Sequence, residues 1–457
     1  MSLKLFGNKK ILFSLLFLSA VAVAIGYLCF SSPPVLPSGD PNVVLITVDA
    51  LRADHLGCYG YQRNTSPNID ALARKGALFT QAIAQSSHAP TSLGVIATST
   101  YPPTNQLRGW GDTLRPDIPT LAETLKARGY KTFFANGNGN LYRGLHGFDK
   151  GFDTFYDKGV PASTLTQQAL ALVGKNNTKP FFLWIHYMDV HEYFPSKELE
   201  SLFINDMFYS RQNKIPIVKN DPGLYGKNGI PEFRANKSGG NDNPDYYVAV
   251  YDGAIRSVDK QIGSLLKKLR QTNRRRDLLV VFTSDYGEML GEHGYYFHQG
   301  WFLYEPLLRV PLIFNCASII PAKKVGPQVS AGLDIFPTLL GFLKKQKPEI
   351  LQGTDLSPLM LGEGSEGASP HVISDEGHSK TSVRTDRWKL IRSSENPGSP
   401  ATYELYNLRK DPGELKNRFS VEKETFAVLK EKLAEYYEKV YGIKTVDAAG
   451  EDPRKGL

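Results

Sequence analysis

Three short stretches of this 457-residue chain place ionisable side chains directly after strongly apolar runs. Asp49 follows VVLITV; His186 ends FFLWIH, with Asp189 and His191 after it; Asp285, Glu288, Glu292, His293 and His298 follow LLVVFT. Carboxylates presented in this way are oxygen ligands for a hard divalent cation, and neighbouring histidines serve as acid, base or anion contact. For any one of these residues alone, a helix cap or a loop hydrogen bond is the simpler explanation. Three separate ends carrying such groups make a common site the better one.

The elements that must position them read as an α/β fold. Strands are expected at 43–48, 130–135, 181–186, 278–283 and 310–314, and helices at 67–75, within 114–129, and at 251–269. Strands alternating with helices over this length imply a mainly parallel sheet flanked by helices, whose site lies beyond the carboxyl ends of the strands. After about residue 340 the texture changes to a Gly, Ser and Pro-rich stretch, strand-like pieces at 382–385 and 389–392, and a Lys/Glu-rich helix at 421–440. This reads as a smaller α+β subdomain over 341–445, following a catalytic domain over 42–340 and followed by a tail, 446–457.

Apolar residues at 41% and charged residues at 22% exclude a disordered chain, and 41 Gly and 29 Pro without repeats exclude a collagen or coiled coil. Cys29, Cys58 and Cys316 allow at most one disulfide, and no Cys-x-x-Cys pair suggests a structural zinc. Cys58 and Cys316 read as small buried side chains. Net charge is +8, and the densest run, Lys267, Lys268, Arg270, Arg274, Arg275 and Arg276, reads as a solvated helix end. No groove-reading motif accompanies it, so no nucleic-acid partner is expected.

At the N-terminus, basic residues 1–10 precede an uncharged apolar run, Ile11–Phe30, and a Pro/Ser linker, 31–41. Twenty residues span about 30 Å as a helix, the thickness of a bilayer core. The basic flank predicts a cytoplasmic N-terminus and an exported body, periplasmic or extracellular. A cleaved signal peptide, with Ala20, Ala22 and Ala24 near its cleavage point, is the rival reading.

The stretches NVVLITVDALRADHLGCYGY, TSPNIDALARKGALFTQAIAQ, FFLWIHYMDVHEYF, TSDYGEMLGEHG and SVRTDRWKLI, in this order and spacing, resemble the sulfatases of the alkaline phosphatase superfamily over residues 42 to about 440. The resemblance implies an alkaline-phosphatase-like fold and a metal-dependent hydrolase of sulfuric or phosphoric esters. Asp49 and Asp285 fall on its metal ligands, His191 on the histidine that contacts the substrate ester, and His298 near a second active-site base. His186 and Asp189 are assigned to substrate binding. The implied cofactor is one divalent cation, calcium or magnesium rather than zinc, and the implied partner a sulfated or phosphorylated small molecule, glycan or lipid.

Departures from the family pattern are concentrated at the site. No Cys-x-Pro-x-Arg or Ser-x-Pro-x-Arg motif is present, so no formylglycine is expected. An ungapped count back from Tyr101-Pro102 puts Ala89 at the nucleophile position, and a two-residue shift offers Thr91 instead. Ala50 stands where a second aspartate is usual. Tyr286 replaces a ligand, and its phenol stays protonated at neutral pH. Arg52 and Asp54 are expected to order the first loop, His293 to fix its own loop, and Trp184, Trp301 and Trp388 to pack. Two alternatives stay open: a phosphoryl transferase or phosphodiesterase with a threonine nucleophile, and a silent member that binds anionic glycans or lipid headgroups. With a retained anchor, the full-length protein should stay in the membrane fraction after a high-salt wash. A mature chain starting after Ala24 would establish cleavage instead.

Overall fold

The computed structural model describes residues 39–174, 179–193, 197–204, 206–210, 212–219, 226–272, 276–364, 367–376, 379–394 and 401–442. The apolar segment 11–30, the linker to 38 and the tail lie outside the described residues. Asp40 onward forms one compact unit. Among the described residues no helix is long and apolar enough to cross a membrane.

Nine strands build the central sheet: β1 (Asn42–Val48), β2 (Ala77–Ile83), β3 (Lys131–Asn136), β4 (Thr154–Tyr156), β5 (Phe181–Tyr187), β6 (Leu278–Ser284), β7 (Arg309–Asn315), β8 (Lys323–Val325) and β9 (Val329–Ser330). Their order is β8-β2-β7-β6-β1-β5-β3-β4, with β9 also on β2. All neighbours are parallel except β7, which runs antiparallel to both β6 and β2. β1 and β5 are buried over all seven residues each, which is why they read as continuous apolar runs. One face of β1, with Val44, Ile46 and Val48, shares a core with Tyr251, Ile255, Val258 and Ile262 of the helix Pro244–Thr272.

All five expected strands are present, and the differences have local causes. The run ALFTQAI of β2 was not expected as a strand, because half-buried Thr80 and Gln81 interrupt its apolar pattern. The helix Ala89–Thr98 was also unforeseen. It carries Gly94 and four β-branched residues, so its propensity is poor, yet every residue in it is buried. The helix expected within 114–129 is short, Leu121–Lys126, because Pro116 and Pro119 precede it and Thr120 starts it with a capping box. Glu123 N donates to Thr120 Oγ1 at 3.1 Å, and Thr120 N donates to Glu123 Oε2 at 2.9 Å.

The C-terminal part is a four-stranded antiparallel sheet, β10 (Val372–Asp375), β11 (Lys380–Arg384), β12 (Trp388–Ser393) and β13 (Thr402–Asn407). The helix Lys423–Tyr441 lays Leu429, Leu433, Tyr436 and Tyr437 on Ile373, Val383, Leu390 and Leu405. A buried ionic knot ties this sheet to the residues before β7. Arg384 grips both oxygens of Glu305 at 2.9 and 3.0 Å. Lys389 Nζ, itself fully buried, lies 3.0 Å from Glu305 Oε1 and 2.7 Å from Glu414 Oε1. Burial alone would raise the Glu305 carboxyl, but Lys389 and Arg384 outweigh it and hold it at about 2; Glu414, with burial dominant, is pushed up to about 7. Removing one partner of such a group strands the others without compensation. Lys389→Met should therefore cost about 3–5 kcal/mol in urea denaturation.

Candidate active site

Strand register assembles the site. Thr47 of β1 lies opposite His186 of β5, and Val48 lies opposite Ser284 of β6. The next residues, Asp49 and Asp285, therefore leave the sheet side by side. Asp49, His186 and Asp285 are all buried, and each offers a ligand atom within 4.8 Å of the other two. His186, expected to bind substrate, thus belongs with the two carboxylates. Its ring is oriented from behind: Thr47 Oγ1 lies 2.9 Å from Nδ1 and itself accepts the Trp184 indole N–H at 2.9 Å. Nε2 faces Asp49 Oδ2 at 3.3 Å, within ion-pair range but without hydrogen-bond geometry. Asp285 Oδ1 accepts from Tyr286 N at 3.0 Å and Ala50 N at 3.3 Å, while its buried Oδ2 has no protein partner.

Two carboxylates in one dry pocket are costly unless something positive lies between them. Burial raises the Asp49 carboxyl, but the charge of His191 and contacts with His186 outweigh it and hold it below its ordinary value. Asp285 goes the other way, driven far up by burial and by the Asp49 charge. The unpartnered Asp285 Oδ2 and His186 Nε2 suit a divalent cation. An N/O₂ donor set is also less oxygen-rich than calcium prefers, a difference from the all-oxygen site expected.

The positions where the chain departs from its resemblance meet in space. Ala50, Ala89 and Tyr286 form one buried apolar cluster beside Asp49. Tyr286 donates its hydroxyl to Asp49 Oδ1 at 2.7 Å, and burial together with the charge of Asp49 keeps that phenol protonated. Ala89, the ungapped candidate, thus packs against Tyr286 and Ala50. Thr91 lies two residues along the same helix, about 200° round its axis, and its buried Oγ1 has no protein partner.

His191 sits in the one-turn helix Asp189–Glu192 that follows β5. Burial lowers its pKa, but the charges of Asp49, Glu192 and Glu288 outweigh it and raise it above the ordinary histidine value. Asp189 does not face the cluster: its Oδ1 accepts from Ala162 N at 2.9 Å and caps the helix Ala162–Gly174. His298 is nested against Tyr295 and Phe302, with ring centroids at 5.3 and 4.6 Å, and burial lowers its pKa to about 4. It is a neutral imidazole at pH 7.

Two contributors had no role assigned from the sequence. Asn138 donates to Asp49 Oδ2 at 3.3 Å. Buried Glu288 accepts from Gln299 Nε2 at 2.7 Å. Its neighbourhood in SDYGEMLGEHG marked it as ionisable but gave it no role. Arg52 orders the first loop as expected, gripping Asp54 at 2.9 and 2.8 Å and Glu292 at 2.6 Å. His293 stacks on Tyr304 at 3.8 Å. Trp301, expected to pack, is instead 62% exposed, and Cys58 is only half-buried while Cys316 is buried.

With this geometry in place, comparison with known proteins is decisive for the family. The sulfatase family model matches residues 41–345. The chain belongs to the sulfatase family. A second model, N-sulphoglucosamine sulphohydrolase, C-terminal, matches residues 291–440 of this sulfatase-family protein. An N-acetylglucosamine-6-O-sulfatase of Bacteroides thetaiotaomicron is 24% identical over 83% of this chain and 82% of its own. Human iduronate 2-sulfatase is 27% identical over 71% and 67%. Among solved structures, a complex with its substrate D-glucosamine-2-N,6-O-disulfate superposes with TM-score 0.72 at 20% identity, covering 88% of this chain and 98% of that one. The phosphonate monoester hydrolase of Agrobacterium radiobacter superposes with TM-score 0.69 at 20% identity, covering 88% and 96%. Both show the alkaline-phosphatase-like fold.

Glu288 sets a testable pH dependence. Burial pushes its carboxyl up from 4.5 to about 7, despite the opposing His191 charge. Between these values the folded protein binds more protons than the unfolded chain, so stability present below pH 4.5 is lost as pH rises to about 7. Glu288→Gln should flatten this decline, which amounts to about 3 kcal/mol, in denaturation midpoints taken across that window.

Proposed function

We propose that this protein is a metal-dependent hydrolase of sulfate esters, acting on a sulfated sugar from the exported side of a membrane to which Ile11–Phe30 anchors it. The observation that carries the reading is the buried Asp49–His186–Asp285 group, with two donor atoms left unpartnered. A divalent cation held there would neutralise charge on the ester oxygens. The supporting names are those of the relatives, which are sulfatases of glycan units.

The side chains divide the remaining work. His191, whose pKa its acidic surroundings raise, is the group placed to give a proton to the leaving oxygen. Thr47 and Trp184 hold His186 in place. Because a methyl group occupies the register position at Ala89, the attacking oxygen in this reading is that of water rather than a protein hydroxyl.

A second reading is favoured by one observation: Tyr286 already occupies Asp49 Oδ1, and Ala50 and Ala89 fill the space beside it. On that reading the site binds a sulfated glycan without turnover. Chromogenic sulfate and phosphate esters, offered with several divalent cations, separate the two. Turnover that requires a cation, and that disappears with Asp285→Asn together with the cation-induced rise in melting temperature, supports the hydrolase. Wild-type protein inert with every ester and cation, yet stabilised by sulfated sugars, supports the binder. Thr91→Ala should retain turnover, while His191→Gln should lower kcat about 100-fold or more. Loss of turnover in Thr91→Ala would return the nucleophile's role to that hydroxyl.

A further inference from the structure

The end of the sheet opposite the site carries a concentration of positive charge that catalysis does not use. Lys131 opens β3, Lys75 precedes β2, and the helix Pro244–Thr272 ends there with Lys267, Lys268 and Arg270. Arg276 leads into β6. Lys75, Lys131, Lys267, Lys268 and Arg270 are exposed. The acids at this edge include Asp40, Asp153, paired with Lys126 at 3.0 Å, and Asp277, which accepts the Ser318 hydroxyl at 2.5 Å and keeps its charge; the named cations still outnumber them. Between the helix ends lies an open cleft of about 750 Å³, walled by Leu72, Leu266 and Leu269 and rimmed by Lys75, Lys267 and Arg276.

Cations near the C-terminal ends of helices are favoured by the helix dipole, and that alone accounts for a few of them. It does not account for Lys131, at the start of a strand. Nor does it account for the place where the chain enters the body. Asp40 lies on this edge, its carbonyl held by Arg276 Nη1 at 2.9 Å, and Asn42 N donates to Asp277 O at 2.8 Å. Upstream of Asp40 come a nine-residue Pro/Ser-rich stretch, 31–39, and then the uncharged run 11–30. The ten steps from Phe30 to Asp40 reach at most about 35 Å. A bilayer holding that run therefore lies within reach of this edge, at a high effective concentration. A sheet of seven-residue strands then sets the Asp49–Asp285 end about 20 Å further out.

We propose that this basic edge docks on an anionic bilayer surface, with lipid headgroup phosphates entering the cleft between Lys75, Lys267 and Arg276, so that the candidate site faces away from the membrane. The proposal rests on the anchored reading above for its geometry, but the charge complementarity is its own. Anionic headgroups attract each nearby Lys or Arg, and the attraction fades within a Debye length.

The test uses the full chain reconstituted into vesicles of phosphatidylcholine alone, or with about one third phosphatidylglycerol. Lysine labelling by a membrane-impermeant amine reagent is followed residue by residue, with the exposed Lys214 as reference. Labelling of Lys75, Lys267 and Lys268 should slow about tenfold or more in the anionic vesicles and recover in high salt. In Lys267→Glu/Lys268→Glu, labelling of Lys75 should become nearly equal in the two vesicles. Equal rates for the wild type in both vesicles would overturn the proposal, and so would binding of heparin or DNA through these lysines without any vesicle difference. A chain that high salt strips from the vesicles refutes the anchor alone; if it had bound only anionic vesicles before the wash, the docking face stands.

Discussion

Everything at the candidate site depends on one register: Val48 opposite Ser284, which brings Asp49 and Asp285 out of the sheet together. Because both strands are buried, the two carboxylates arrive in a place with little water to screen them. The chain meets the resulting repulsion with His186, set by the pairing of β1 with β5, and with the nearby charge of His191. Asp285 remains the strained partner, its Oδ2 unpaired and its carboxyl pushed strongly toward the protonated form. This arrangement is expensive for an apo protein and favourable for one that holds a cation.

The rest of the molecule acts to keep that pocket dry and rigid. Arg52 locks the loop after β1 to Asp54 and Glu292. The C-terminal sheet reaches the segment before Ala89 through Glu376, which accepts from Ser87 N at 2.5 Å and Ser87 Oγ at 2.7 Å. The Glu305–Lys389–Glu414 knot fastens that sheet to the body. Two chain regions distant in sequence therefore form one scaffold, and the C-terminal part is coupled to the site rather than appended to it.

The substitutions at 50, 89 and 286 illustrate how a site can be rebuilt without changing its frame. The two alanines carry no polar group, and with the Tyr286 ring they close on one another as an apolar patch. The phenol of Tyr286 then satisfies one oxygen of Asp49. The buried His186 Nε2 and Asp285 Oδ2 remain without a partner beside the patch.

Much was legible in the residues alone. Apolar β-branched runs ending in Asp49, His186 and Asp285 marked the central strands and the edge where chemistry would collect, because burial on both faces imposes that composition. The order of motifs identified the family, and the sequence contains no Cys-x-Pro-x-Arg or Ser-x-Pro-x-Arg. Other features were decided only by tertiary structure. Linear spacing holds no information about which strand lies beside which, so His186 could be assigned to substrate as readily as to the carboxylates until β5 was paired with β1. Asp189 looked like a site residue because it shares a segment with His191, yet a one-turn helix aims it at the N-terminus of another helix. The register at Ala89 was ambiguous by two residues in the sequence, and the helix turns the two candidates to different sides, since residues two apart point in nearly opposite directions. Composition and motif order depend on what each residue is; the site depends on where the fold turns each side chain, and that is set by contacts more than a hundred residues apart.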